Sequence, residues 1–316
     1  MSFSKPIVGL LIVSVCSFST KAQQTDSALL YSDPYIAELD SLLAQSDSTS
    51  ILSLIDSLIN LPEPELHSQL NIRLGYNSNV VSASRTLGFN QFGMAPGLSY
   101  YHKSGLYTDV TGYWSKEYDP QYYLTVGTVG YMNSPTAWWS VMAEYNRYFY
   151  SAIDDETYIA YDNTVGIYNF FNAKWFTFRL DYQLFFGKKV AHRINPTVMI
   201  NLEKRGWGKI DRIAFYPYST MLFGSEQITR LEPYARSYLG IIYRLRRGLP
   251  LYYEVTNTEW GVLNYSFVAP VSISMNRWTF MISYTYNIPQ ALPGETIDLI
   301  NSGYLSASIS KLIQFK

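Results

Sequence analysis

Cysteine is almost absent from the 316-residue sequence: Cys16 is the only one, and it lies in the first apolar stretch. One thiol makes no disulfide framework and no Cys-based metal site. Histidine is nearly as scarce, with 3 residues, His67, His102 and His192, far apart in the chain. Asp, Glu, Lys and Arg together reach only 16%, against about 25% in an ordinary soluble domain. The net charge of −1 gives no excess of one sign with which to hold nucleic acid, so none is expected as a partner. Long hydrophobic runs are missing too: after residue 20 nothing approaches the ~18 apolar residues of a spanning helix.

What the sequence has in excess is aromatic: 29 Tyr, 16 Phe and 7 Trp. A soluble core has little use for so many tyrosines, because each buried hydroxyl needs a partner. A membrane–water interface uses them well, with the ring in lipid and the hydroxyl among headgroups. Interface chemistry without a spanning helix leaves a closed barrel, whose backbone groups all pair between strands, as the way through a bilayer.

The N-terminus reads as an export address over residues 1–22. Lys5 supplies the positive start, Ile7 to Phe18 the apolar run, and Thr20-Lys21-Ala22 the small-residue cleavage site, leaving Gln23 as the mature N-terminus. A lipid-anchor signal would need a small residue before Cys16, where Val15 stands. Residues 23–64 differ from all that follows. Ile36, Leu39, Leu42 and Leu43, then Ile51, Leu54, Ile55, Leu58 and Ile59, recur at helical spacing. Ser46 to Ser50 form a turn and N-cap signal between them, and Pro62 and Pro64 end the second run. The expectation is a short helical hairpin, either a periplasmic tether and docking piece or a plug.

From residue 65 to 316 the dominant period is two. Phe176, Phe178, Leu180, Tyr182 and Leu184 alternate with Thr177, Arg179, Asp181 and Gln183, so one strand face is apolar and the other polar. The same rhythm runs through 277–289 and again through 233–246. Segments of this length exceed the ~5–6 residues of soluble sandwich strands and suit the ~9–11 needed to cross hydrocarbon. The fold class expected is therefore an all-β transmembrane antiparallel barrel. The segmentation gives about 14 strands, the last seven at 190–203, 208–222, 234–246, 249–257, 261–275, 277–289 and 302–315; merging at 249–257 gives 12. An even number is the rule in bacterial barrels. Tight turns such as Lys103-Ser104-Gly105 fall after even-numbered strands, and the long connections 79–91, 223–233 and 290–301 after odd ones, with a few exceptions such as the tight Gly187-Lys188-Lys189.

The last strand, Tyr304 to Phe315, resembles the C-terminal targeting strand of bacterial outer-membrane proteins, in which an alternating apolar series ends in an aromatic residue; here Lys316 follows Phe315. The signal ending before Gln23-Gln24 resembles exported proteins of the Bacteroidota. The resemblance implies residence in the outer membrane, with its lipid and the barrel-insertion machinery as partners. Fourteen strands with an N-terminal segment are also similar in outline to the outer-membrane long-chain fatty-acid transporters, without any shared motif.

If the apolar face meets lipid, the other lines a lumen. Arg73, Asp109, Glu144, Arg179, Asp181, Arg193, Arg212, Arg236, Arg244 and Glu254 are then candidate solute contacts. The arginines between 179 and 244 make either a basic wall suited to anions or part of a mixed-charge network that braces the lumen. No His stands beside a Ser or Asp in a catalytic pattern, so no enzymatic role is expected. Asp154-Asp155-Glu156 lacks the further ligands of a calcium loop, and neither metal nor cofactor is expected. The function expected is a channel or transporter for small solutes. The alternative is a structural barrel that recruits a periplasmic or secretion partner through residues 25–61.

Overall fold

The computed structural model describes residues 68–78, 93–116, 120–151, 161–293, 295 and 299–315. The export address, the segment 23–64, His67 and Asp154-Asp155-Glu156 lie outside them. In chain order the strands are β1 Gln69–Asn77, β2 Gly93–Tyr101, β3 Leu106–Ser115, β4 Tyr122–Thr136, β5 Trp139–Tyr150, β6 Tyr161–Ala173, β7 Phe176–Gly187 and β8 Val190–Ile200. There follow β9 Leu202–Trp207, β10 Ile210–Phe215, β11 Tyr218–Pro233, the helix α1 Tyr238–Arg246, β12 Tyr252–Met275, β13 Trp278–Pro289 and β14 Ser302–Gln314.

Each strand from β1 to β8 pairs antiparallel with the next; β8 pairs with β11, the series continues through β14, and β14 returns to β1. The short strands β9 and β10 are continuations rather than members of the ring. Asn201 separates β8 from β9, and Tyr216-Pro217 separates β10 from β11. Pairing runs through both breaks: the Ile200 N–H donates to the Pro217 carbonyl at 3.0 Å, and the Tyr216 N–H to the Pro270 carbonyl at 3.3 Å. Pro217 has no N–H to give a ladder, which accounts for the interruption. The closed barrel thus has 12 strands.

Two adjustments bring fourteen segments to that number. Segments 249–257 and 261–275 are the single strand β12, as merging them requires. Segment 234–246, expected as a strand, contains α1 instead. The reason is topological. β11 and β12 pair with each other up to Pro233↔Tyr252, so the residues between them sit at a hairpin tip with no neighbouring strand to pair with. A helix satisfies its own backbone there. Ser237 caps it by accepting from the Gly240 N–H at 3.2 Å, and Gly248, at φ 64, ends it in the left-handed region.

Connections sort by end, the tight 188–189 turn between β7 and β8 at the loop end excepted. Residues 102–105, 137–138, 174–175, 208–209 and 276–277 are tight turns on the side where Ser68 and Phe315 meet. Asn276 and Arg277, at φ 50 and 65, are a two-residue hairpin turn of the kind that matches strand twist. Short turns face the periplasm in single-chain outer-membrane barrels, so this is the periplasmic end and the longer connections, α1 included, are extracellular.

The outer face is apolar, with Leu98, Val110, Ile167, Leu180, Phe267, Ile282 and Leu305 exposed along it. Aromatic rings collect at its two margins. Trp138, Phe171 and Phe178 stack in a row at the turn end, each 6.1 Å from the next, and the Phe315 ring lies 6.3 Å from that of Tyr100. At the loop end Phe223 and His192 flank Trp260. A closed barrel with an apolar outer band between aromatic girdles is built for the bacterial outer membrane, and that is where this protein resides.

Candidate functional site

The inward residues alternate with the lipid-facing ones, and the charged candidates can be followed strand by strand. On β1, Arg73 stands opposite Gly97 of β2, and on β3 Asp109 stands opposite Ser99. A Cβ at position 97 would lie 2.8 Å from the Arg73 guanidinium carbon. Glycine there lets the guanidinium lie flat across β2 and reach β3. Arg73 Nη1 and Nη2 donate to Asp109 Oδ1 and Oδ2 at 2.6 and 2.8 Å, a fork-to-fork pair. Arg73 Nη1 also donates to Ser99 Oγ at 2.6 Å, and Nη2 to the Thr111 hydroxyl.

Glu144 on β5 is buried, and its hydrogen-bond donors are two hydroxyls and an amide rather than a cation. Tyr107 and Tyr168 each donate to it at 2.7 Å, and Asn146 Nδ2 at 3.0 Å. Gln183 Nε2 in turn donates to the Tyr168 hydroxyl at 2.9 Å. The Tyr107 ring occupies the space a side chain at Gly130 would need, so it lies against the wall instead of across the lumen.

Arg179 and Asp181 lie two apart on β7 and therefore on one face. Their closest approach, Nε to Oδ2, is 2.9 Å, with side chains 5% and 1% exposed. Arg179 Nε and Nη1 and Asp181 Oδ1 have no aligned hydrogen-bond partner among the described residues. Arg193 on β8 contacts Glu226 of β11 and donates to the Ser225 carbonyl at 2.5 Å. Arg212 on β10 donates to Glu203 of β9 at 2.8 Å, and Arg205 to the same carboxylate at 3.1 Å. Burial tends to raise the Glu203 carboxyl, but the hydrogen bonds from Arg212 and Arg205 outweigh it and hold its pKa below the usual carboxylate range.

Arg73, Asp109, Glu144, Arg179, Asp181, Arg193 and Arg212 thus face inward, and each inward arginine has a carboxylate beside it. The basic wall is neutralised pair by pair; the mixed-charge network is the arrangement present. Arg236, Arg244 and Glu254 do not line the lumen. Arg236 precedes α1 and is exposed; Arg244 lies on α1; Glu254 is exposed on β12 where it pairs only with β11. Their apparent alternation belongs to the hairpin tip, beyond the barrel wall.

The opposite wall, missed as a set in the sequence, is small and hydroxylic. Ser266, Ser272, Ser283, Thr285, Ser306 and Ser310 of β12, β13 and β14 all point inward. Asn264 Nδ2 donates to Ser266 Oγ at 2.6 Å, and Ser266 Oγ to Asn287 Oδ1 at 2.7 Å. Asn264 Oδ1 and Asn287 Nδ2 have no partner among the described residues, a state that water or a polar solute would relieve. Period two identifies these positions, but serine carries no charge to draw attention to them. Glu226 was missed because the expected strand stopped at 222, whereas the inward series Leu222, Gly224, Glu226 continues.

Neither described histidine joins the inward network. His102 sits in the exposed turn after β2, with Nδ1 2.8 Å from Ser104 Oγ. His192 lies on the outer face, 2.8 Å from the Tyr182 hydroxyl and stacked on Trp260 at 5.4 Å. Among the described residues no group of His, Cys, Asp and Glu is arranged to hold a metal ion.

No protein-family model and no curated protein matches this chain. Solved structures do. LpxR from Salmonella typhimurium aligns with a TM-score of 0.43 and 10% identity, covering 76% of this chain and 99% of that one. The NanC porin aligns at 0.38 and 13% identity, over 78% and 99%. The translocator domain of the autotransporter NalP from Neisseria meningitidis aligns at 0.32 and 12%, over 89% and 99%. These likenesses concern the barrel fold alone.

Proposed function

We propose that this barrel passes small polar solutes across the outer membrane as a channel or transporter. The observation that carries the reading is the inward face: hydroxyls and amides on one wall, compensated ion pairs on the other, with polar valences of Asn264, Asn287, Arg179 and Asp181 left open among the described residues. Such a lining hydrates and binds polar molecules. Because each inward arginine stands beside a carboxylate, selection by charge sign is weak. The reading assigns no catalytic step; the exposed turn position of His102 and the outer-face position of His192 support it. Phe315, on this reading, keeps its role in targeting to the barrel-insertion machinery.

Purified protein in a planar bilayer tests the proposal. Discrete conductance is expected, with a cation-to-anion permeability ratio near one. A bilayer that stays closed at every voltage, both with the full chain and with 23–64 deleted, overturns it.

A further inference from the structure

The β11–β12 pair does not stop where the barrel wall stops. β8 leaves it at Arg193↔Gly224 and β13 at Asn264↔Pro289, yet β11 and β12 continue from Ser225↔Trp260 to Pro233↔Tyr252. Nine residues per strand at ~3.4 Å each make a two-stranded ribbon of about 30 Å. At its tip sits α1, and α1 is inside out. Positions 240 and 244, four apart, share the face turned toward its own chain. There Arg244 Nε donates to the Pro250 carbonyl at 2.8 Å, and its guanidinium lies 3.9 Å over the Tyr234 ring. The apolar residues point the other way: Tyr238 is 77% exposed, Leu239 79%, Leu245 59% and Tyr243 53%. No residue of the helix is buried.

The tip itself is basic, and the nearest acidic residues, Glu232 and Glu254, lie on the ribbon strands that carry it. Between Pro233 and Tyr253 the sequence holds Arg236, Arg244, Arg246 and Arg247 and no acidic residue. Arg247 stacks 4.8 Å over Tyr243, so cation and ring present a joint surface. Apolar side chains rimmed by arginine and interleaved with tyrosine are the composition of a helix lying in a lipid interface bearing anionic headgroups. A second copy docking face to face would set arginine against arginine. The ribbon ties α1 to the membrane-embedded wall, so its own leaflet is the lipid surface it meets at the highest effective concentration.

We propose that α1 docks on the outer leaflet of the membrane the barrel spans. Tyr238, Leu239 and Leu245 enter the headgroup–acyl boundary, and Arg236, Arg246 and Arg247 engage lipid phosphates. A spin label on Leu239→Cys, in a full-length Cys16→Ser background, reads this out in nanodiscs of phosphatidylcholine with and without phosphatidylglycerol. The expected result is a label reached by lipid-soluble oxygen and shielded from an aqueous nickel complex when the anionic lipid is present. That shielding is lost on replacing Arg236, Arg246 and Arg247 with Gln and kept with Lys, while heat-modifiable migration shows every variant folded. A label equally exposed to water in both lipids overturns the proposal. So does shielding indifferent to lipid charge, or spin–spin broadening that reports a second copy.

Discussion

Arg73 shows how a single glycine decides which carboxylate an arginine meets. Its inward direction follows from period two along β1, and so was legible before any coordinates, as it was for Asp109, Glu144, Arg179, Asp181, Arg193 and Arg212. Its partner was not legible, because the pair spans β2 and depends on the register that puts Gly97 beneath the guanidinium. Breaking such a pair leaves a desolvated charge. Asp109→Leu should therefore cost roughly 3 kcal/mol of folding stability, read as a lowered urea midpoint in detergent micelles. Arg73→Met with Asp109→Leu should recover most of the loss, since neither charge then stays buried alone. A double variant as unstable as the single one would mean that shape, not charge, is what the site requires.

Elements were legible where both faces had distinct surroundings, and illegible where they did not. β7 and β13 separate lipid from lumen, so their alternation is clean, and the limits of β13 match the expected 277–289 to within a residue. The tip segment lies beyond the last β11–β12 pair and has no neighbouring strand, so nothing there enforces a period of two; its Leu239, Ile241, Tyr243 and Leu245 imitate a strand while forming a helix. β9, which pairs with β10 alone, is a second element at the margin of the wall, on the periplasmic side, and its hold on pH can be stated. The Glu203 carboxyl is held below its ordinary range, so its contribution is fully present above the unfolded value of about 4.3 and is lost as pH falls through the lower folded value. Amide exchange in residues 202–207 should accordingly speed up relative to β13 only at acid pH, and Glu203→Gln should remove that dependence. An unchanged acid profile in the variant would assign the effect to another group.

At the scale of the whole molecule, membrane residence and closure were legible from aromatic excess and strand length. The number of strands was less so, because the hairpin tip 234–246 imitates a strand and the long β12 reads as two segments. Closure itself rests on the seam. β14 pairs with β1 from Gln69↔Gln314 to Asn77↔Ser306 and with β13 from Trp278↔Lys311 to Asn287↔Ser302. A chain ending before Ser302 would leave two open strand edges in hydrocarbon, where unpaired backbone groups cost several kcal/mol each. It should give no heat-modifiable, protease-resistant band on reconstitution, and a stable truncated barrel would show that β13 can close on β1 directly.

That seam also imposes an order in time. Most chains made from one end can begin to fold before they are finished, but here the first barrel strand waits for the last. Everything from Gln69 onward must be carried, unpaired at one edge, until Gln314 has been synthesised and delivered, so a cell making this protein needs a means of waiting as much as a means of insertion.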